Sequence, residues 1–145
     1  MKVKECMCNN VHSVLPNTTV CDCARIMGEK HIGCVPVCNS NNELLGFITD
    51  RDLILRAVAN NKNINNTCVC DLMTSDVCCC NADNDIKHVQ NLMAEHQVRR
   101  IPVLEDGKVV GILTLGDLAK HENIDNNGVA ATFENICKCN DKNAE

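Results

Sequence analysis

The chain repeats itself at a nearly constant offset, and this repeat limits the possible folds more than any other feature. At an offset of 66, four residues of the first half meet identical residues in the second: Val3, Met7, Met27 and Pro36 meet Val69, Met73, Met93 and Pro102. After a one-residue gap the offset is 65, and Gly46, Thr49 and Asp52 meet Gly111, Thr114 and Asp117. A unit of about 50 residues buries little surface alone. The repeat therefore predicts two related units packed face to face.

Both units show the same order of hydrophobic patterns: strand, helix, strand, strand, helix. In the first unit the predicted elements are a strand at 11–15, a helix at 20–30, strands at 34–38 and 44–49, and a helix at 51–59. In the second they are a strand at 77–80, a helix at 86–96, strands at 100–104 and 109–114, and a helix at 116–121. The predicted fold class is α/β (α+β), with two β-α-β-β-α repeats related by a pseudo-two-fold axis.

The repeats also define the predicted domain boundaries. The first repeat spans 1–59, an Asn-rich linker spans 60–68, the second repeat spans 69–121, and a polar tail spans 122–145. Five residues of the tail have helical spacing and predict one short docked helix: Val129, Ala130, Phe133, Ile136 and Cys137.

Composition argues against several functions. The 145 residues carry a net charge of −5, with no Trp, no Tyr and two Phe, so a nucleic-acid surface is not expected. No apolar run long enough for a membrane span occurs, and the N-terminus does not resemble a signal segment. We expect a soluble, cytoplasmic protein that binds neither nucleic acid nor membrane.

Thirteen cysteines are unusual for a chain of this length. Four Cys-x-Cys pairs could bind a soft metal if each lay on a strand; they are Cys6/Cys8, Cys21/Cys23, Cys68/Cys70 and Cys137/Cys139. Alternatively, Cys is a small core residue in a reducing compartment. Cys23 shares a predicted helical face with Val20, Ala24 and Met27, and Cys6 and Cys38 align with Leu72 and Leu104. Core packing leaves Cys21 and the run Cys78–Cys80 unexplained.

Two motifs occur twice, in order and at matched spacing. One is Gly-x-x-Thr-x-x-Asp, at 46–52 and 111–117, and the other is an apolar-Pro-Val strand, at 35–37 and 101–103. With these motifs, residues 1–121 resemble a tandem CBS-domain pair, named for the regulatory domain of cystathionine β-synthase, of the small stand-alone bacterial type. The resemblance implies a ligand cleft between the repeats and a flat homodimer.

The Thr-x-x-Asp part of the first motif has two interpretations. At a strand-to-helix junction it is a capping box that satisfies backbone N–H groups. The resemblance implies in addition that Thr49, Asp52, Thr114 and Asp117 hold the ribose of an adenosyl ligand. Both roles are compatible.

Further site residues follow from the same resemblance. It places phosphate contacts at Arg99 and Arg100, where the first repeat has Gly33 and Cys34, so the two clefts should differ in affinity. It places the pocket lining at Val35, Pro36, Ile101 and Pro102, with Arg51 as an additional candidate.

The resulting hypothesis is a non-enzymatic regulatory sensor without catalytic residues, cofactor or resident metal. Its ligand would be AMP or ATP, with S-adenosylmethionine and NAD as other candidates. Two alternatives remain at this point: a thiol or soft-metal site on the same scaffold, and a pure interaction module for an unidentified regulated protein.

Overall fold

The computed structural model describes residues 1–121 and 124–143, with side chains described as far as residue 138. The fold is mixed α/β, as predicted, and contains two small sheets. No helix in these ranges is long and apolar enough to cross a membrane.

The first repeat contains α1 (Val20–Lys30), β1 (Cys34–Cys38), β2 (Leu44–Thr49) and α2 (Asp50–Asp52), which continues as a π-helix over Leu53–Val58. The strands β1 and β2 pair antiparallel, with Val35 opposite Ile48. The second repeat contains β3 (Cys80–Asn81), α3 (Ile86–His96), β4 (Arg100–Glu105), β5 (Lys108–Thr114) and α4 (Leu115–Lys120). Its sheet has the order β3-β4-β5, and a last helix, α5 (Asn126–Asn143), follows.

Helices α1 and α3 have the predicted bounds because each carries its own start and stop signals. Thr19 Oγ1 accepts from Asp22 N at 3.1 Å at the start of α1, and Asp85 accepts from Lys87 N at 2.9 Å at the start of α3. Both helices end at a left-handed residue, His31 and Gln97. The predicted apolar face of α1 is correct for Val20, Cys23 and Met27, but Ala24 is exposed.

The predicted strand at 11–15 does not form, and the one at 77–80 is reduced to Cys80–Asn81. In the first case only Val14 pairs, through Val14 N to Pro36 O at 3.0 Å and Cys38 N to Val14 O at 2.9 Å. Pro16 has no N–H to continue the ladder, and the chain turns there with Thr18 N bonded to Leu15 O.

Two compact units form, and each contains residues from both sequence repeats. The first comprises Met1–Val11, Cys78–Asp106 and Val110–Glu145, and the second comprises His12–Val77 and Gly107–Val109. In the first unit, the core includes Val3, Val89, Ile101 and Leu113. In the second, it includes Val35, Ile48, Leu53 and Val69.

Equivalent antiparallel bridges attach the N-terminal segment of each repeat to a strand of the other. Cys8 and Ile112 exchange two backbone hydrogen bonds of 2.9 Å in the first unit, and Phe47 and Thr74 exchange bonds of 2.9 and 3.0 Å in the second. The side chains of Met7 and Met73 lie over Gly111 and Gly46, where a Cβ would overlap them.

This close approach predicts that adding a Cβ at Gly111 destabilises the protein. A Cβ at Gly111 would lie 3.0 Å from the rigid Cys8 carbonyl oxygen and 2.5 Å from Met7 Sδ, so Gly111→Ala should lower the free energy of unfolding by about 1–3 kcal/mol. Gly28→Ala is the matched control, because no atom lies within 4 Å of its added Cβ in α1. It should raise stability by roughly 0.5–1 kcal/mol. Urea unfolding measures both, and equal stability of G111A and the wild type would contradict the close approach.

Candidate functional site

A cavity of about 670 Å³ lies in the first compact unit, at the junction between β5 and α4. Pockets for small organic ligands usually measure about 300–1,000 Å³. Its lining comes from the start of β4, the β5–α4 junction and α5: Arg99, Arg100, Thr114, Leu115, Gly116, Ala119, Asn126, Val129, Ala130 and Phe133. Three predicted site residues, Arg99, Arg100 and Thr114, are therefore brought together.

Backbone hydrogen bonding holds this junction in place. Leu115 N donates to Arg99 O at 2.9 Å, which ties the start of α4 to the start of β4. Thr114 Oγ1 accepts from Asp117 N, and Asp117 Oδ2 accepts from Thr114 N, both at 3.0 Å. The capping box interpretation is thus confirmed here, while the ribose contact stays a prediction.

The corresponding junction of the second unit has the same backbone geometry. Asp50 N donates to Gly33 O at 2.9 Å, and Thr49 and Asp52 form a capping box with bonds of 3.1 and 3.0 Å. Its side chains are different. Asp50 and Arg51 replace Leu115 and Gly116, and Asp52 Oδ1 lies 3.6 Å from Arg56 Nε.

The predicted pocket-lining residues of the apolar-Pro-Val strands lie in the two cores. Val35 and Ile101 are fully buried, and Pro36 and Pro102 are buried beside them. None of the four lines the cavity. Since their side chains are covered, a ligand could contact these four residues only through the backbone.

Sequence reasoning missed the contribution of α5 to the cavity. The sequence predicts docking through Val129, Ala130, Phe133, Ile136 and Cys137, but the buried residues are Val129, Thr132 and Ile136. Ala130 and Phe133 are exposed and line the cavity instead. The signal in the sequence that could have indicated this contribution is Phe133, an isolated aromatic residue in a polar tail.

The cysteines separate into core and surface groups. Cys23 and Cys38 are buried, and Cys6 is half-buried against a core, in agreement with their predicted packing role. The sequence indicates no packing role for Cys80, but Cys80 lies in the core of the first unit and Cys78 packs against that core. Burial raises the pKa of Cys23 to about 11 and that of Cys80 to about 12.

The proposed soft-metal site has no counterpart in the described part of the chain. There, no group of three His, Cys, Asp or Glu side chains could hold a metal ion. Cys21 and Cys23 lie on α1, where residues two apart point to different sides, so their side chains do not form a chelating pair.

The chain thus contains a tandem pair of small mixed α/β repeats, each with a capped strand-to-helix junction. The CBS domain family model matches residues 3–58 and 69–123, and the chain belongs to the CBS domain family. The CBS domain-containing protein YhcV of Bacillus subtilis is 34% identical over 134 residues, which cover 92% of this chain and 94% of YhcV.

Solved structures of similar chains contain different ligands. Hypoxic Response Protein I, with two coordinated zinc ions, is 32% identical with a TM-score of 0.77, covering 83% of this chain and 98% of the other. A CBS domain pair in complex with 5′-methylthioadenosine and S-adenosyl-L-methionine is 26% identical with a TM-score of 0.75, covering 83% and 94%. CBSX2 in complex with AMP is 31% identical with a TM-score of 0.69, covering 80% and 91%.

The burial of the thiols predicts a clear order of reactivity. At pH 8, Cys8 and Cys70, which are exposed, should react with iodoacetamide long before Cys23 and Cys80, because only an accessible thiolate is nucleophilic. Peptide mass spectrometry of the labelled native protein measures this order, and labelling in urea is the control in which all four should react. Native labelling of Cys23 as fast as Cys8 would contradict the assigned core.

Proposed function

We propose that this chain is a non-enzymatic regulatory module that binds a phosphorylated adenosyl ligand, AMP or ATP, in the cavity of the first compact unit. The observation that carries the proposal is the position of Arg99, Arg100 and Thr114 around one cavity whose other walls are mainly apolar. Adenosyl ligands in solved structures of similar CBS proteins support it.

Each part of such a ligand has a chemical counterpart in this unit. Two guanidinium groups provide charge-assisted hydrogen bonds for a phosphate. Thr114 lines the cavity and offers a hydroxyl to the ribose. Asp117 is not among the lining residues but is bonded to Thr114 through the cap; its Oδ2 serves the cap, which leaves Oδ1 to accept from a ribose hydroxyl. Apolar walls suit the base. Arg99 and Arg100 make the lining cationic, so AMP should be preferred to the sulfonium cation of S-adenosylmethionine.

The second repeat is the better phosphate site of the two. At the positions of Arg99 and Arg100 the first repeat has Gly33 and Cys34, which carry no positive charge. Asp50 and Arg51 at that junction carry opposite charges that offset each other. We therefore propose one competent phosphate site per chain.

Calorimetric titration with AMP tests the proposal. Arg99→Ala and Arg100→Ala should each weaken AMP binding by about tenfold or more, since a hydrogen bond to a charged group contributes roughly 1.5–3 kcal/mol. Arg25→Ala is the control, because Arg25 lies in the second unit and pairs with Asp22 on the surface of α1. Binding by none of AMP, ATP, NAD or S-adenosylmethionine would refute the proposal and leave the interaction module as the favoured function.

The same titration distinguishes a ligand contact of Asp117 from its capping role. Asp117→Asn keeps an oxygen that can accept from Thr114 N but loses the charge, so it should weaken binding, whereas Asp52→Asn, its matched control in the other unit, should not. Equal affinities for both variants and the wild type would limit these residues to capping.

Regulation requires that the ligand discriminate between states of the chain. A ligand shifts a conformational equilibrium only by its difference in affinity for the two states. The regulated partner would then bind preferentially to the state that the ligand favours. Ligand binding in the cavity does not depend on the identity of that partner.

We also propose that the chain forms a homodimer, as the family resemblance implies. The π-helical part of α2 exposes three large apolar side chains, Ile54, Leu55 and Val58, at 58%, 47% and 60%. Analytical ultracentrifugation should give twice the monomer mass, and Val58→Glu should lower it because a charge would be buried at the contact. A monomeric wild-type protein would contradict the dimer without affecting the ligand site.

A further inference from the structure

We infer that the C-terminal helix α5 completes the ligand site and that Phe133 stacks on the base of the bound nucleotide. The inference rests on the proposed function and identifies the residue that recognises the base. It concerns a helix that lies outside the residues matched by the family model, which end at 123.

The orientation of α5 is set by a narrow buried stripe. Val129, Thr132 and Ile136 are 9%, 5% and 5% exposed, and Val129 and Ile136 belong to the core of the first unit. Thr132 Oγ1 donates to Gly128 O at 2.9 Å, which satisfies the hydroxyl within the helix. Because the stripe is anchored, the direction of the remaining side chains on this part of the helix is determined as well.

This orientation directs an aromatic side chain to the cavity. Phe133 follows the buried Thr132 by one residue, about 100° around the helix, and it is 47% exposed. Eight large apolar side chains are exposed in the described part of the chain, and among these only Phe133 lines the cavity. In the core it would contribute more to stability.

The cavity lining consequently combines cationic side chains from one element with an aromatic side chain from another. Arg99 and Arg100 come from the start of β4, while Val129, Ala130 and Phe133 come from α5. Among the described residues, Phe133 is the only aromatic residue of the lining, in a chain with no Trp and no Tyr. An anion with an attached planar apolar group matches this division, and a purine nucleotide is such a molecule. A purine has a π-face that stacks on an aromatic ring.

The position of α5 in the chain restricts this recognition to one repeat. The closing helix of the second repeat, α4, is followed by α5, which packs against both α3 and α4. The closing helix of the first repeat, α2, is followed by the linker 60–68, which contains no helix or strand. Base stacking and phosphate binding are therefore expected at the same junction.

The absence of tryptophan from the sequence allows a direct optical test on the full chain. Phe133→Trp introduces the only Trp, so stacking of adenine on it should quench its fluorescence when AMP is added. Ribose 5-phosphate, which has the phosphate and sugar but no base, should not quench it. Asn135→Trp is the matched control on the same helix, because Asn135 is exposed and does not line the cavity, and its fluorescence should not respond to AMP.

Calorimetry measures how much the Phe133 ring contributes to the affinity for AMP. Phe133→Ala should weaken AMP binding about 5- to 150-fold, the range expected for loss of one base–aromatic stack, and Asn135→Ala should leave it within twofold. Phe133→Tyr should retain the affinity, because it keeps the ring. Circular dichroism and urea unfolding of each variant verify that α5 is retained.

The outcomes separate this inference from the function on which it rests. AMP binding that is lost in R99A but unchanged in F133A, with no quenching of the Trp variant, keeps the proposed function and overturns the role of Phe133. Equal quenching by ribose 5-phosphate and AMP would also overturn it, since the signal would not come from the base. No AMP binding by the wild-type protein refutes the proposed function, and the inference with it.

Discussion

The structure depends on two short antiparallel bridges that link the beginning of each repeat to a strand of the other. One joins Cys8 to Ile112 and the other joins Thr74 to Phe47, each through two backbone hydrogen bonds. The preceding turns add apolar residues to the receiving cores, Val3 in one unit and Val69 in the other, both fully buried. Since each compact unit takes part of its core from the other repeat, neither repeat contains a complete core by itself. The glycines at 46 and 111 allow the close approach that this arrangement requires.

The duplicated scaffold separates the residues that maintain the fold from those that carry ligand chemistry. Both strand-to-helix junctions have the same capping box and the same backbone bond, Asp50 to Gly33 and Leu115 to Arg99, at 2.9 Å. These contacts are needed whether or not a ligand binds. The side chains that differ, such as Arg99 against Gly33, determine what charge each junction presents. Family membership therefore predicts the shared geometry better than it predicts the ligand.

The success of sequence reasoning differs with the range of the interaction. The bounds of α1 and α3 were predicted because caps and periodicity act within a few residues. The prediction of a strand at 11–15 is wrong, because strand formation depends on the segment with which it pairs. In this region only Val14 is paired. The burial of Cys80 was missed for a related reason, because its environment is made by β4 and by residues from the N-terminus. The tail was recognised as helical, but its buried stripe includes Thr132, which hydropathy alone does not select.

The sequence by itself determined the two repeats, their main helices and strands, both capping boxes and the difference in charge between Arg99–Arg100 and Gly33–Cys34. These features are encoded by neighbouring residues or by comparison of the chain with itself. Only the tertiary structure decided that the N-terminal segments are exchanged, that Cys80 is buried, and that Phe133 faces a cavity shared with Arg99 and Arg100. The physical reason is that the side of a helix that becomes buried, and the strand to which a segment pairs, depend on surfaces supplied by distant parts of the chain.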